Sequence, residues 1–225
     1  MLTEVSMILY YTVTSSFRSL VRRRGYFSSF IMIGLLFFLF FFSWKWVDFF
    51  SSWIILETVL QEMAKEDEAA SFQPLILLLT ILRTGTILVC FFLFLAVILY
   101  TKHFYKQKAG IEQEEIVIKR LLGERSAIIA SEFVLEAGYI LVFFGSISLV
   151  LSTIIFKKLL RDIQVLGAFQ NVVERFDPHH GIEFLLFLVV ICLTLLSIFY
   201  TVYRQADREA LASPSSTNSG DKEED

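Results

Sequence analysis

Four stretches of the chain stay apolar for twenty residues or more: Tyr26 to Trp46, Leu75 to Tyr100, Phe133 to Phe156 and Glu183 to Tyr203. A helix needs about 20 residues to cross a hydrocarbon core about 30 Å thick, so each stretch predicts one transmembrane helix. Phenylalanine and leucine crowd the first, as in "FLFFF" from Phe38 to Phe42. Nowhere does the alternation that marks barrel strands appear. The pattern predicts an all-α membrane protein with four spans.

Between the spans the apolar spacing changes. From Asp48 to Gln73 the residues Phe49, Phe50, Trp53, Leu56, Leu60 and Met63 recur every three or four positions, and from Leu159 to Phe176 a similar repeat stops before Pro178. Both read as short amphipathic helices on the outer leaflet, or equally as extensions of the spans that pack on one another. Ahead of span one, residues 1–25 end in "SSFRSLVRRRG", whose Phe17, Leu20 and Val21 share a face beneath a cluster of arginines. That predicts a basic amphipathic helix among anionic headgroups. The spans with their loops form one unit over residues 26–203, and residues 204–225, ending in "SPSSTNSGDKEED", read as a polar, disordered tail. No small-residue cleavage site follows a short apolar core, so span one is expected to stay in the mature chain.

Composition agrees with the pattern. A chain that is 56% hydrophobic and 16% aromatic, with a mean hydropathy of +0.64, is not an ordinary soluble domain. The net charge of −3 matters less than where the charges fall. Thirteen of the lysines and arginines lie before span one, between spans two and three, or in the tail, against six in the other two loops. The positive-inside rule therefore predicts cytoplasmic termini (N-in/C-in) and places Trp44, Trp46 and Trp53 together at the outer interface.

Candidate chemistry is sparse. Cys90 and Cys192 lie inside apolar runs without metal-ligand spacing. "DPHHGIE", Asp177 to Glu183, holds His179, His180 and Glu183, but adjacent imidazoles point apart and the segment reads as a solvated loop. No nucleophile–base pair converges, so enzyme activity is not expected. Arg83 lies within an apolar run, where a mid-bilayer charge costs at least about 2.5 kcal/mol; it is either functional or snorkels to the outer headgroups. Glu132 and Glu136 sit near the entrance of span three, where a carboxylate can reach water or a base from a neighbouring helix.

The densest charge between two apolar walls is "EEIVIKRLLGERSAIIASEFVLEA", Glu114 to Ala137. From Ile111 to Leu122 the acids come first and the bases last, matching the partial charges of a helix. Gly123 follows as a left-handed stop, and Ser126 can cap the next helix. Ile111, Ile118 and Leu122 share a stripe with Glu115. The pattern alone leaves two readings open, an interfacial helix that closes a loop or a cytoplasmic knob offered to a partner.

The run "EIVIKRLLG", with Glu136 thirteen positions after its glycine, resembles the signature of FtsX-like permeases, the membrane subunits of MacB-type ABC transporters. In that family an acid, an isoleucine, two apolar positions, a base, a leucine and a glycine recur, and here they fall on Glu115, Ile116, Val117, Ile118, Arg120, Leu122 and Gly123. The resemblance implies that Glu115, Ile116, Ile118, Lys119, Arg120, Leu122 and Gly123 form a coupling helix on a separate cytoplasmic ATPase dimer. Glu136 would then have a structural or gating role, and Arg83 remains the other gating candidate. No phosphate loop of the G-x-x-x-x-G-K-[ST] type occurs, so ATP and Mg are expected in the partner, with no cofactor held by this chain.

The resemblance further implies a second permease copy or a related permease, contact with membrane lipid, residence in the bacterial cytoplasmic membrane and no nucleic acid. It departs from the family in one respect. The loop between spans one and two is too short for the large extracellular domain many members carry, which leaves any extracytoplasmic partner little to grip. The expected function is export or extraction of a lipid-like, lipopeptide or apolar peptide cargo. The alternatives are a non-transporting regulator of an external cell-wall enzyme, acting by mechanotransmission, and a four-helix scaffold without an ATPase.

Overall fold

The apolar runs contain few residues able to stop a helix, and the helices overrun the spans that hydropathy marks. The computed structural model describes residues 27–63, 69–164, 172–173 and 180–212. Five helices follow in order: α1 (Phe27–Met63), α2 (Ala69–Ile111), α3 (Gln113–Leu121), α4 (Ser126–Gln164) and α5 (His180–Ala212). No strand occurs among the described residues. All but α3 are long and apolar enough to cross a membrane. The chain is an all-α, multi-pass membrane protein.

At 37 residues α1 is about 55 Å long, well beyond a hydrocarbon core of about 30 Å. Of the two readings of Asp48 to Gln73, a surface helix or an extension of the span, the extension is the one found: no glycine or proline interrupts the chain from Trp46 to Met63, and Asp48–Met63 continues α1. In the same way α4 carries Leu159 to Gln164 without a break. The helix α5 continues through residues 204–212, where a polar tail was expected to begin. The expected N-terminal helix over 1–25, the rest of the tail and most of the third loop lie outside the described residues.

The helices contribute to two compact units. One comprises Ile31–Val97 and Phe143–Val190, and its packing is aromatic. Phe37 and Phe41 meet Phe187 of α5 at ring-centroid distances of 6.4 and 6.0 Å. Small residues let the helices close in. A methyl placed on Gly145 would come within 2.5 Å of the Phe187 ring, and one on Gly34 within 3.2 Å of Phe144. Ser148 Oγ donates to the Gly34 carbonyl at 2.8 Å, tying α4 to α1. This is close helix packing through small residues, as expected where lipid supplies no hydrophobic drive between helices.

Further along α1 and α4, Trp46 stands edge-on to Phe156 at 5.4 Å, and Phe49, Leu160 and Val172 complete a buried cluster against which Trp53 and Leu56 pack. Trp46 and Trp53, both half-buried, thus make contacts within the protein. The same unit buries Lys45, whose Nζ lies 2.5 Å from Glu183 Oε1 of α5. Glu183 therefore belongs to a buried ion pair and not to a solvated loop. No metal-binding group of His, Cys, Asp and Glu occurs among the described residues.

The other unit, among the described residues, comprises 27–30, Ile98–Val142 and 191–212, and it holds α3. Its buried positions recur at helical spacing: Thr101, Phe104, Tyr105 and Ala109 on α2; Ile129, Phe133, Ala137 and Leu141 on α4; Thr194, Ile198, Val202 and Ala206 on α5. The strict four-residue spacing on α5 makes a single ridge that fits a groove. Within the spans, α2 is the least enclosed. Of its most apolar window 11% is buried, against 33–39% in the other three. Its Thr80, Thr84 and Thr86 each donate to the carbonyl four residues earlier at 2.8 Å, which satisfies their hydroxyls without water.

Gly145→Ala is expected to destabilise the chain by about 1–3 kcal/mol, because the Phe187 ring must leave its place against Phe37 and Phe41. Thermal unfolding in detergent measures it. A second change, Phe187→Leu, should recover part of the loss if the clash with that ring is the cause.

Candidate functional site: the short helix and its clamps

Helix α3 begins almost where α2 ends. Glu112 is the one residue between them, yet the Glu112 amide donates to the Lys108 carbonyl at 3.0 Å and the Ile116 amide to the Glu112 carbonyl at 3.1 Å. The helical bonding is thus carried through the junction, and α3 is a jointed continuation of α2. Its other end is closed by two bonds, Gly123 amide to Arg120 carbonyl at 3.0 Å and Glu124 amide to Lys119 carbonyl at 3.1 Å. Gly123 has φ +89°. These are the paired bonds of a left-handed glycine stop, in the place the sequence marks. Arg120 reinforces the corner by donating to the Glu124 carbonyl at 3.1 Å. After it α4 starts at Ser126, with the Arg125 carbonyl accepting from the Ile128 amide at 2.9 Å.

One side of α3 is anchored. Ile116 is only 2% exposed, a burial worth about 1.5–3 kcal/mol, so it supports the helix from behind and is not available to a partner. Lys119 Nζ lies 2.5 Å from Glu132 Oε2 on α4 and 3.3 Å from Glu115 Oε1 on α3 itself. Burial works to lower the Lys119 pKa, but the hydrogen bond and charge of Glu132, with Glu115, outweigh it and hold the pKa above the ordinary 10.5. The lysine of the clamp therefore keeps its charge below about pH 10.5 and loses it only as pH rises through the higher folded value.

The opposite side is open. Ile118 is 57% exposed, Leu121 77% and Leu122 80%, and Ile111, the last residue of α2, is exposed as well. Residues 118, 121 and 122 are neighbours on a helix surface, so they make one apolar patch. Glu114 and Glu115 flank it, both exposed.

Beneath the junction Lys108 is buried and bonds both carboxylate oxygens of Glu136 on α4. Glu112 approaches it at 3.9 Å. The Tyr105 and Phe133 rings lie 5.9 and 5.6 Å from the ammonium. Glu136 is thus a positioning group for α4 against α2. The partners of the two carboxylates near span three are Lys108 and Lys119; Lys108 looks from sequence like one loop lysine among several, and only its spacing from the buried Thr101, Phe104 and Tyr105 could have marked it. Arg83, by contrast, is exposed on α2, remote in sequence from the clamps, and forms no ion pair among the described residues.

No family model, curated protein or solved structure matches this chain. The site is therefore read from its own geometry.

Lys108→Met is expected to cost about 3–5 kcal/mol because it strands the Glu136 carboxylate. The pair Lys108→Met with Glu136→Leu should return to near wild-type stability. Thermal melting of the three proteins in one detergent distinguishes a required charge from a required fit.

Proposed function

We propose that this chain is the membrane-spanning permease subunit of an ABC-type transporter in the bacterial cytoplasmic membrane, and that α3 is the helix through which a separate ATPase pair moves it. One observation carries the reading. The helix α3 is held from behind by Ile116 and the Lys119 clamp, while Ile118, Leu121 and Leu122 stand exposed on its other side. Three large apolar side chains flanked by the exposed Glu114 and Glu115 form a patch suited to a protein partner, whereas a helix that only closed the loop would turn the same side chains to lipid. The stretch that resembles the FtsX-like signature coincides with this element, and its glycine has the backbone conformation such a corner requires.

Motion applied to that patch has two routes. The hydrogen-bonded junction leads into α2, and the Lys119–Glu132 pair leads into α4. The chemistry remains in the partner, which supplies ATP and Mg. A second permease, a copy or a related chain, is expected because such ATPases work in pairs, and the weakly enclosed α2 offers apolar surface for it. Transport of a lipid-like, lipopeptide or apolar peptide cargo fits better than control of an external enzyme. Only residues 64–68 separate α1 from α2, which leaves no outer domain there to hold such an enzyme.

The full-length chain, affinity-purified from its native membranes in mild detergent, should carry a vanadate-sensitive ATPase activity. Ile118→Asp with Leu122→Asp is expected to reduce that activity at least about tenfold, the loss typical of a docking centre, with membrane insertion unchanged. Glu114→Gln should leave it within about twofold. Equal ATPase activity with wild type and the double variant would sink the reading.

A further inference from the structure

In the unit that holds α3, a cavity of about 550 Å³ lies between α2 and α5, lined by Lys102, Lys106 and Arg204 together with Tyr200, Thr201 and Gln205. Among the described residues no carboxylate lines it. Among the described residues none of the three cations forms an ion pair.

The helix period explains why these lysines differ from their neighbour. Lys102 and Lys106 are four residues apart and share a face of α2. Lys108, two residues further on, is turned by about 200° and is buried against Glu136. One lysine is therefore neutralised inside the unit, and two are left at the cavity. Arg204, one turn after Tyr200 on α5, adds a third positive charge. Three cations brought to one cavity without a carboxylate make a site for an anion, and a guanidinium beside two ammonium groups suits the several oxygens of a phosphate.

The surroundings decide which phosphate. One turn before Lys102 on α2, Leu99 is 60% exposed, and one turn before Tyr200 on α5, Leu196 is 64% exposed. Both belong to helices apolar enough to span a membrane. A soluble anion would have no use for them. A molecule with a phosphate at one end and hydrocarbon at the other meets matching chemistry along its whole length. The volume falls within the range of about 300–1,000 Å³ usual for small-ligand sites, with room for a phosphoglycerol group and water.

We propose that this cavity binds the headgroup phosphate of an anionic phospholipid through Lys102, Lys106 and Arg204, with the acyl chains lying along Leu99 and Leu196. Basic pockets between spanning helices hold anionic headgroups in this manner. The inference needs neither the ATPase nor the role assigned to α3.

The test uses the full-length chain in detergent, titrated with phosphatidylglycerol or phosphatidylcholine and read by native mass spectrometry. Phosphatidylglycerol should bind at least about fivefold more tightly than phosphatidylcholine. Lys106→Gln with Arg204→Gln should weaken phosphatidylglycerol about tenfold and erase the preference, whereas Lys106→Arg, which keeps the charge, should stay within about twofold. Lys106 and Arg204 are exposed, so circular dichroism of the variants should match wild type; Lys102→Gln alone, expected to weaken binding about threefold, gives a second reading. Equal affinity of wild type for the two lipids, or an undiminished preference in the double variant, overturns the proposal. So does displacement of phosphatidylglycerol by about 10 mM inorganic phosphate, since that would make the ligand a free phosphate.

Discussion

Lys45 and Lys108 are both buried among apolar helices, and each is tolerable there because a carboxylate from another helix meets it. An ammonium left without such a partner would have lost its water for nothing. The pairing is also a geometric constraint. Lys45 fixes α1 against α5 within one unit, and Lys108 fixes α2 against α4 within the other. A slip of one residue would shift a side chain by 1.5 Å along its helix and turn it by about 100°, which neither contact survives. Purely apolar faces discriminate weakly between such registers, so the two pairs set positions that leucine and phenylalanine alone would leave loose.

With register fixed, the remaining contacts follow from size. Gly34, Gly145 and Ser148 allow α1, α4 and α5 to approach, and the Phe37–Phe41–Phe187 rings fill the space that results. In the other unit, Lys108 sits directly before the α2–α3 junction. The base of α3 therefore rests on the same pair that orders the helices around it, while Lys119 and Ile116 secure its flank. Everything that holds α3 lies on one side, and its three large exposed side chains lie on the other.

Much of this is legible in the sequence because it depends on local periods. Four apolar runs give four spans, and acids, bases and a glycine over residues 112–123 give a short helix with a left-handed stop. The ends of α1 and α4 leave two readings open in the sequence, since the apolar spacing of a surface helix and of a helix packed on its neighbour is the same; contacts such as those of Phe49 and Trp46 with Phe156 separate them. The burial of Ile116 was equally hidden, because Ile116 and Ile118 are alike until the turn of the helix against α4 is known. The ion pairs are hidden for a related reason. Lys45 and Glu183 are 138 residues apart, and nothing in the local pattern of either announces the other.

The loose enclosure of α2 reaches further than packing. Its apolar stretch ahead of Lys102, Leu75 to Tyr100, has 26 residues and a length of about 39 Å, more than an oily layer of about 30 Å covers upright. A stretch of that length can be accommodated by leaning, and the lean is free to follow the thickness of the surrounding lipid wherever neighbouring helices do not oppose it. Because α3 continues from its end with one residue between, a thinner or thicker membrane would present that short helix at a different angle.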